Sequence, residues 1–93
     1  MLQWVIIYHN PKRWFFCEIA LMTVPEKEFL KKLGAKIAEL RKEKGFSQLD
    51  ICAEIKMEKS NLSSIENGRQ NVTSLYLYKI AQAIGVEVKD FFE

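Results

Sequence analysis

From residue 26 onward the apolar positions recur with a helical period. Phe29, Leu33, Ile37 and Leu40 are spaced four, four and three apart, with Lys31, Lys32, Lys36, Glu39 and Glu43 on the remaining faces. This spacing predicts one amphipathic helix over roughly 26–44. Lys42 and Lys44 followed by Gly45 form its expected end, with bases in the last turn and a glycine beyond it. Ser47 is a suitable N-cap for a second, short helix, SQLDICAEI, and Asp50 stands three residues later in the capping-box position. Ile51, Cys52 and Ile55 would form its buried face. After a turn at about Lys56–Met57, a third helix opens at Glu58-Lys59-Ser60-Asn61, is anchored by Leu62 and Ile65, and ends at Gly68. Thr73 or Ser74 caps a fourth, in which Leu77, Ile80, Ala81 and Ile84 share a face before Gly85. VEVKDFFE reads as a short final helix with Val88 and Phe92 on one side.

The pattern before residue 26 is different. The chain divides at Pro25 into an N-terminal apolar extension, residues 1–25, and a helical domain, residues 26–93. In the extension two apolar runs, LQWVIIY and WFFCEIAL, flank HNPKR, which suits a β-hairpin with a five-residue loop. Three other readings stand beside the hairpin. Residues 1–24 could dock a partner protein or lie on a membrane surface, or translation could truly start at Met22. Nothing in this stretch resembles a secretory signal, and Lys12, Arg13 and Glu18 interrupt any membrane span.

Composition narrows the function more than it names it. With 93 residues, 48% of them hydrophobic and 28% charged, the chain is globular and has room for one small core, so association with a second copy is a reasonable expectation. Its net charge of +2 neither supports nor excludes a nucleic-acid partner, because Lys12, Arg13 and Glu18 leave only +1 for residues 26–93. Two cysteines in apolar settings, Cys17 and Cys52, fit a reduced cytoplasmic protein. The single histidine, His9, has no ligand cluster around it. No phosphate loop, nucleophile elbow or HExxH motif occurs, so no catalytic residue, cofactor, metal or small-molecule substrate is expected, and an enzyme is not.

Two short helices joined by a tight turn, with small side chains at their crossing, can pack steeply and project the second helix into the DNA major groove. Cys52, Ala53, Ser63 and Ser64 supply small side chains here. Many helical bundles contain such corners, so the periodicity alone is only moderately specific.

Three ordered segments, IAELRKEKGFSQ, SNLSSIENG and LYKIAQAIGV, sharpen the reading. Over residues 30–92 the chain closely resembles the Cro/cI-type (XRE-family) helix-turn-helix domain. The resemblance implies an all-α, compact five-helix, lambda-repressor-like fold and a sequence-specific transcriptional regulator, repressor-like, that binds a pseudo-palindromic double-stranded DNA operator as a homodimer. It also implies site residues. Gln48 matches a glutamine that contacts the DNA backbone or a base edge. Glu58, Lys59, Ser60, Asn61 and Ser64 match the exposed face of the recognition helix. Asn67, Arg69, Gln70 and Asn71 match a loop that packs against phosphates. Arg41 and Glu66 match a structural ion pair. Lys56 departs from the family's usual turn glycine, so it is expected to tolerate positive φ. Leu75, Tyr76 and Tyr78, joined by Phe91, are candidates for a dimer surface. The alternative from another class is an antitoxin or interaction module that uses the same fold, with residues 1–24 binding a partner protein.

Overall fold

The computed structural model describes residues 22–93, so the expected hairpin, His9 and Cys17 lie outside the described residues. Four α-helices follow: α1 (Val24–Glu43), α2 (Gln48–Ile55), α3 (Lys59–Glu66) and α4 (Ser74–Ile84). The expected fifth helix is a 3₁₀ helix, Val88–Phe92, and no strand occurs among the described residues.

Helix α1 begins two residues earlier than the apolar period suggests. Thr23 accepts from the Glu26 amide at 3.3 Å, and Glu26 returns the bond by accepting from the Thr23 amide at 2.7 Å. Pro25 therefore lies within the first turn, where a missing N–H costs nothing. Ser47 and Asp50 make the same reciprocal cap on α2, at 3.1 and 2.8 Å. Thr73 caps α4 by accepting from the Tyr76 amide at 3.2 Å. At the far end of α2, Lys56 adopts left-handed geometry with φ 57° and ψ 49°, as its place in the turn requires.

The core runs through all five elements, with Ile37, Ile51, Leu62 and Ile80 fully enclosed. Cys52 is buried among them, and burial pushes its thiol pKa up. Two expected core positions differ. On α1 the buried stripe is Leu30, Leu33 and Ile37, whereas Phe29 stays 54% exposed at its edge. In the last element, Phe91 is buried and Phe92 exposed. The cause is the period: residues three apart eclipse in a 3₁₀ helix, so Val88 aligns with Phe91 and not with Phe92. Phe91 is thus a core residue and leaves the proposed surface of Leu75, Tyr76 and Tyr78. Ala53 is exposed too, so it does not supply the small contact at a helix crossing.

At a different crossing, that of α1 and α3, the close approach is made by Gly34, in the middle of α1. A Cβ built there would overlap the Ile65 carbonyl oxygen and stand 2.6 Å from the Glu66 carbonyl oxygen. Only glycine lets the end of α3 rest directly on α1. One turn earlier on α1, the Lys31 backbone receives Gly68 in the same way: a Cβ on Gly68 would meet Lys31 Cα at 2.6 Å, and its φ is +71°.

Candidate nucleic-acid interface

Helices α2 and α3 are joined by three residues, Lys56 to Glu58. The left-handed Lys56 reverses the chain, and the Met57 amide closes the turn on the Cys52 carbonyl at 3.0 Å. Leu62, Ile65 and Glu66 turn inward from α3. Ser60 and Ser64, four residues apart, therefore occupy the opposite face; Ser60 is exposed and Ser64 half-buried. Lys59 and Asn61 flank that face at the exposed first turn. The outer surface of α3 is consequently polar, shallow and nearly uncharged, with its long side chains gathered at the N-terminal end.

Glu58 is the N-cap residue of α3, exposed and without a side-chain capping bond. Its carboxylate stands near the positive end of the helix, a favourable place for an anion. At the other end, Asn67 donates Nδ2 to the Ser63 carbonyl at 2.8 Å, so its amide closes the helix. Arg69 is exposed, its amide bonded to the Ser64 carbonyl at 2.9 Å. Gln70 and Asn71 are half-buried in the same loop.

The orientation of this unit is set by a buried polar cluster. Arg41 Nε donates to Glu66 Oε2 at 2.7 Å, Nη2 to Glu66 Oε1 at 3.0 Å, and Nη1 to the Phe46 carbonyl at 2.8 Å. Gln48 Nε2 adds a fourth bond, to Glu66 Oε1 at 2.9 Å. The end of α1, the loop after it, the start of α2 and the end of α3 therefore meet at one ion pair, the loop through the Arg41 guanidinium and α2 through the Glu66 carboxylate. The ion-pair side chains are only 8% and 5% exposed, and no buried side-chain polar atom among the described residues lacks a partner. Such a pair fixes geometry more than it adds stability, because desolvating two charges consumes most of the Coulomb gain.

The expected pair Arg41–Glu66 is thus present, and sequence reasoning missed two of its partners. The Phe46 carbonyl carries no sequence signal, since any residue supplies one. Gln48 does carry one, but its position at a helix start suggested a contact to DNA and concealed the inward bond. Lys31 of α1 is exposed, and its contact with Gly68 places it beside the loop that carries Arg69.

Among the described residues no helix is long and apolar enough to cross a membrane, and no cluster of side chains has the makings of a metal site.

Proteins similar to this chain include transcriptional regulators and control proteins. The Helix-turn-helix family profile (HTH_3) matches residues 37–91, more than half of the chain. An uncharacterized HTH-type transcriptional regulator, y4dJ, of Sinorhizobium fredii is 45% identical over 56 residues, which are 60% of this chain and 73% of that protein. The control protein C.MunI of a Mycoplasma species is 39% identical over 62 residues, or 66% and 84% of the two chains. Among solved structures, the restriction-modification controller protein C.AhdI of Aeromonas hydrophila superposes with a TM-score of 0.68. It is 31% identical, over 70% of this chain and 98% of that one. The chain belongs to the XRE-type helix-turn-helix family of DNA-binding transcriptional regulators, which is not a family of enzymes.

Proposed function

We propose that this regulator is repressor-like and binds a pseudo-palindromic operator as a homodimer. The observation that carries the reading is the Arg41–Glu66–Gln48 cluster, which holds a polar, outward-facing α3 at a set angle to α2. The major groove, about 12 Å wide, admits one helix presented in this way. Lys59 then donates to guanine O6 and N7, and Asn61 pairs with adenine or holds a phosphate. Glu58 accepts from cytosine N4, and Ser60 and Ser64 make short contacts with base edges.

The surrounding residues position the helix on the backbone. Gln48 has one amide hydrogen committed to Glu66, which leaves the second for a phosphate oxygen. Arg69 and Lys31 give the loop after α3 two bases against the neighbouring phosphates, with Asn67, Gln70 and Asn71 alongside. The exposed side chains of Leu75, Tyr76 and Tyr78 on α4 form the surface through which two copies associate. This pairing sets the α3 helices in successive major grooves, about 34–36 Å apart. With few and short readers on α3, much of the specificity rests on paired half-sites and DNA shape.

Selection of bound duplexes from a random pool by the full chain tests the reading. The expected product is a two-fold symmetric site with half-site centres one helical turn apart, bound by two copies. A single asymmetric site bound by one copy would remove the dimer. Affinity that stays constant from low to moderate salt would show that phosphates are not contacted at all.

A further inference from the structure

The charge of the described domain is unevenly placed. From Ile37, where the family match begins, to the end of the chain there are eight bases and nine acids, so the region that carries α2 and α3 is net −1. Residues 26–36 hold Lys27, Lys31, Lys32 and Lys36 against Glu26 and Glu28, a net of +2. Binding to DNA draws on bases clustered along one face, so the first half of α1 holds charge that the helix-turn-helix itself lacks. The helical period divides these lysines between two sides. Lys27, Lys31 and Gly34 fall within about 60° of one another around α1. Gly34 receives the end of α3 and the Lys31 backbone receives Gly68, so this side faces the loop after α3. Asn71 of that loop lines one groove with Pro25, Glu26 and Leu30. Lys32 and Lys36 are turned about 100° or more away, where they line a groove with Phe91, Phe92 and Glu93.

We propose that Lys27 and Lys31 continue the phosphate-binding edge of the loop along α1, so that Lys27 meets the DNA backbone beside the phosphates held by Arg69. The proposal rests on the reading of that loop as a phosphate contact and extends it to a helix face one turn further out. Three observations support it. Both lysines are exposed and, among the described residues, neither has an ion-pair partner, whereas Lys36 on the other side is engaged by Glu39 at 3.3 Å. The neighbouring acids do not cancel them. The Glu26 carboxylate accepts from the Thr23 amide at 2.7 Å, and Glu28 lies nearer to Lys32 around the helix than to Lys27 or Lys31. Residues 67–73 contain Arg69 and no acid, so the loop and this face of α1 form one basic edge. The two lysines leave α1 about 6 Å apart along its axis, and their flexible stems present point charges suited to phosphate oxygens.

The test is operator binding by the full chain over a range of salt, with Lys27→Gln, Lys31→Gln, Lys32→Gln and Arg69→Gln beside the parent protein. Glutamine keeps helix propensity close to that of lysine, so far-UV circular dichroism should not change. The slope of log K against log salt should fall in magnitude by about 0.9 in Lys27→Gln, in Lys31→Gln and in Arg69→Gln, one released phosphate contact each. Lys32→Gln, which removes the same charge from the other side of α1, should leave the slope as it was. Ethylation of the phosphates adjoining those that depend on Arg69 should hinder the parent protein and no longer hinder Lys27→Gln. A slope unchanged in Lys27→Gln, with Arg69→Gln behaving as expected, overturns this proposal and leaves the loop reading standing. An equal fall in Lys32→Gln also overturns it, because the lysines then act through the general field of the domain and not as an edge. A slope unchanged in Arg69→Gln overturns the loop reading and this proposal with it.

Discussion

Arg41 on α1 grips Glu66 on α3 with two parallel hydrogen bonds, Nε to Oε2 at 2.7 Å and Nη2 to Oε1 at 3.0 Å, across 25 residues of chain. Arg41→Ala leaves the Glu66 carboxylate buried without its partner. The expected loss is ~3–5 kcal/mol, a large share of the ~5–15 kcal/mol that usually separates a folded domain from its unfolded chain. An Arg41→Met, Glu66→Leu double variant should lose far less in urea unfolding, because it buries no unpaired charge. It should still bind DNA more weakly, since Gln48 then has nothing to hold its amide. A double variant as unstable as Arg41→Ala would contradict this account.

Gly34→Ala sets two effects of opposite sign against each other. Helix propensity favours alanine by about 1 kcal/mol in a helix interior. Overpacking against the Ile65 and Glu66 carbonyls costs about 1–3 kcal/mol, and backbone cannot swing aside as a side chain would. Overpacking should win, with a lower denaturant midpoint at unchanged m-value. Specific DNA affinity should fall as α3 is pushed away from α1. A stabilised variant would show that α3 does not rest on Gly34.

Reading of bases and holding of phosphates are separable by competition with random DNA. Lys59→Ala and Asn61→Ala should each weaken specific relative to non-specific binding by ~1–3 kcal/mol. Arg69→Ala and Lys31→Ala should weaken both alike and flatten the salt dependence, as phosphate contacts do. An equal loss on both DNAs for Lys59→Ala would move that residue into the second group.

The capping box of α2 has a pH signature. Asp50 accepts from the Ser47 amide and cooperates with the Ser47 hydroxyl, and these bonds hold its carboxyl below the ordinary value. A group whose folded pKa is depressed adds stability above its unfolded pKa and loses it as pH falls through the folded one. The difference in stability between the parent protein and Asp50→Asn should therefore shrink from about pH 6 to about pH 3. A difference constant over that interval would mean that the charge on Asp50 does not strengthen the cap.

The legible part of this protein was the part written in local chemistry. The α2 and α4 starts follow from Ser47, Asp50 and Thr73, whereas the left-handed turn at Lys56 was implied by the family resemblance, which usually has glycine at that position. The start of α1 was harder to read, because the cap Thr23 sits in what looked like the tail of the apolar extension. Phe29 and Phe91 were misplaced for a related reason. Apolar spacing says that a residue is near a face, but the packing partner and the local helix type decide which neighbour is enclosed. Of the candidate site, the exposed first turn of α3 and the Arg41–Glu66 pair were in view from the start.

The sequence by itself determined four helices and the caps of α2 and α4, because these depend on neighbours three or four residues apart, and the order of its motifs carried the family resemblance. Tertiary structure alone decided where α3 rests and what Gln48 does. Gly34 and the Ile65 carbonyl are distant in sequence, as are Gln48 and Glu66, and no local preference encodes their approach. Those contacts arise only when the core of Ile37, Ile51, Leu62 and Ile80 brings the helices together. Once it has, one buried carboxylate ties the end of α3 to α1 and α2.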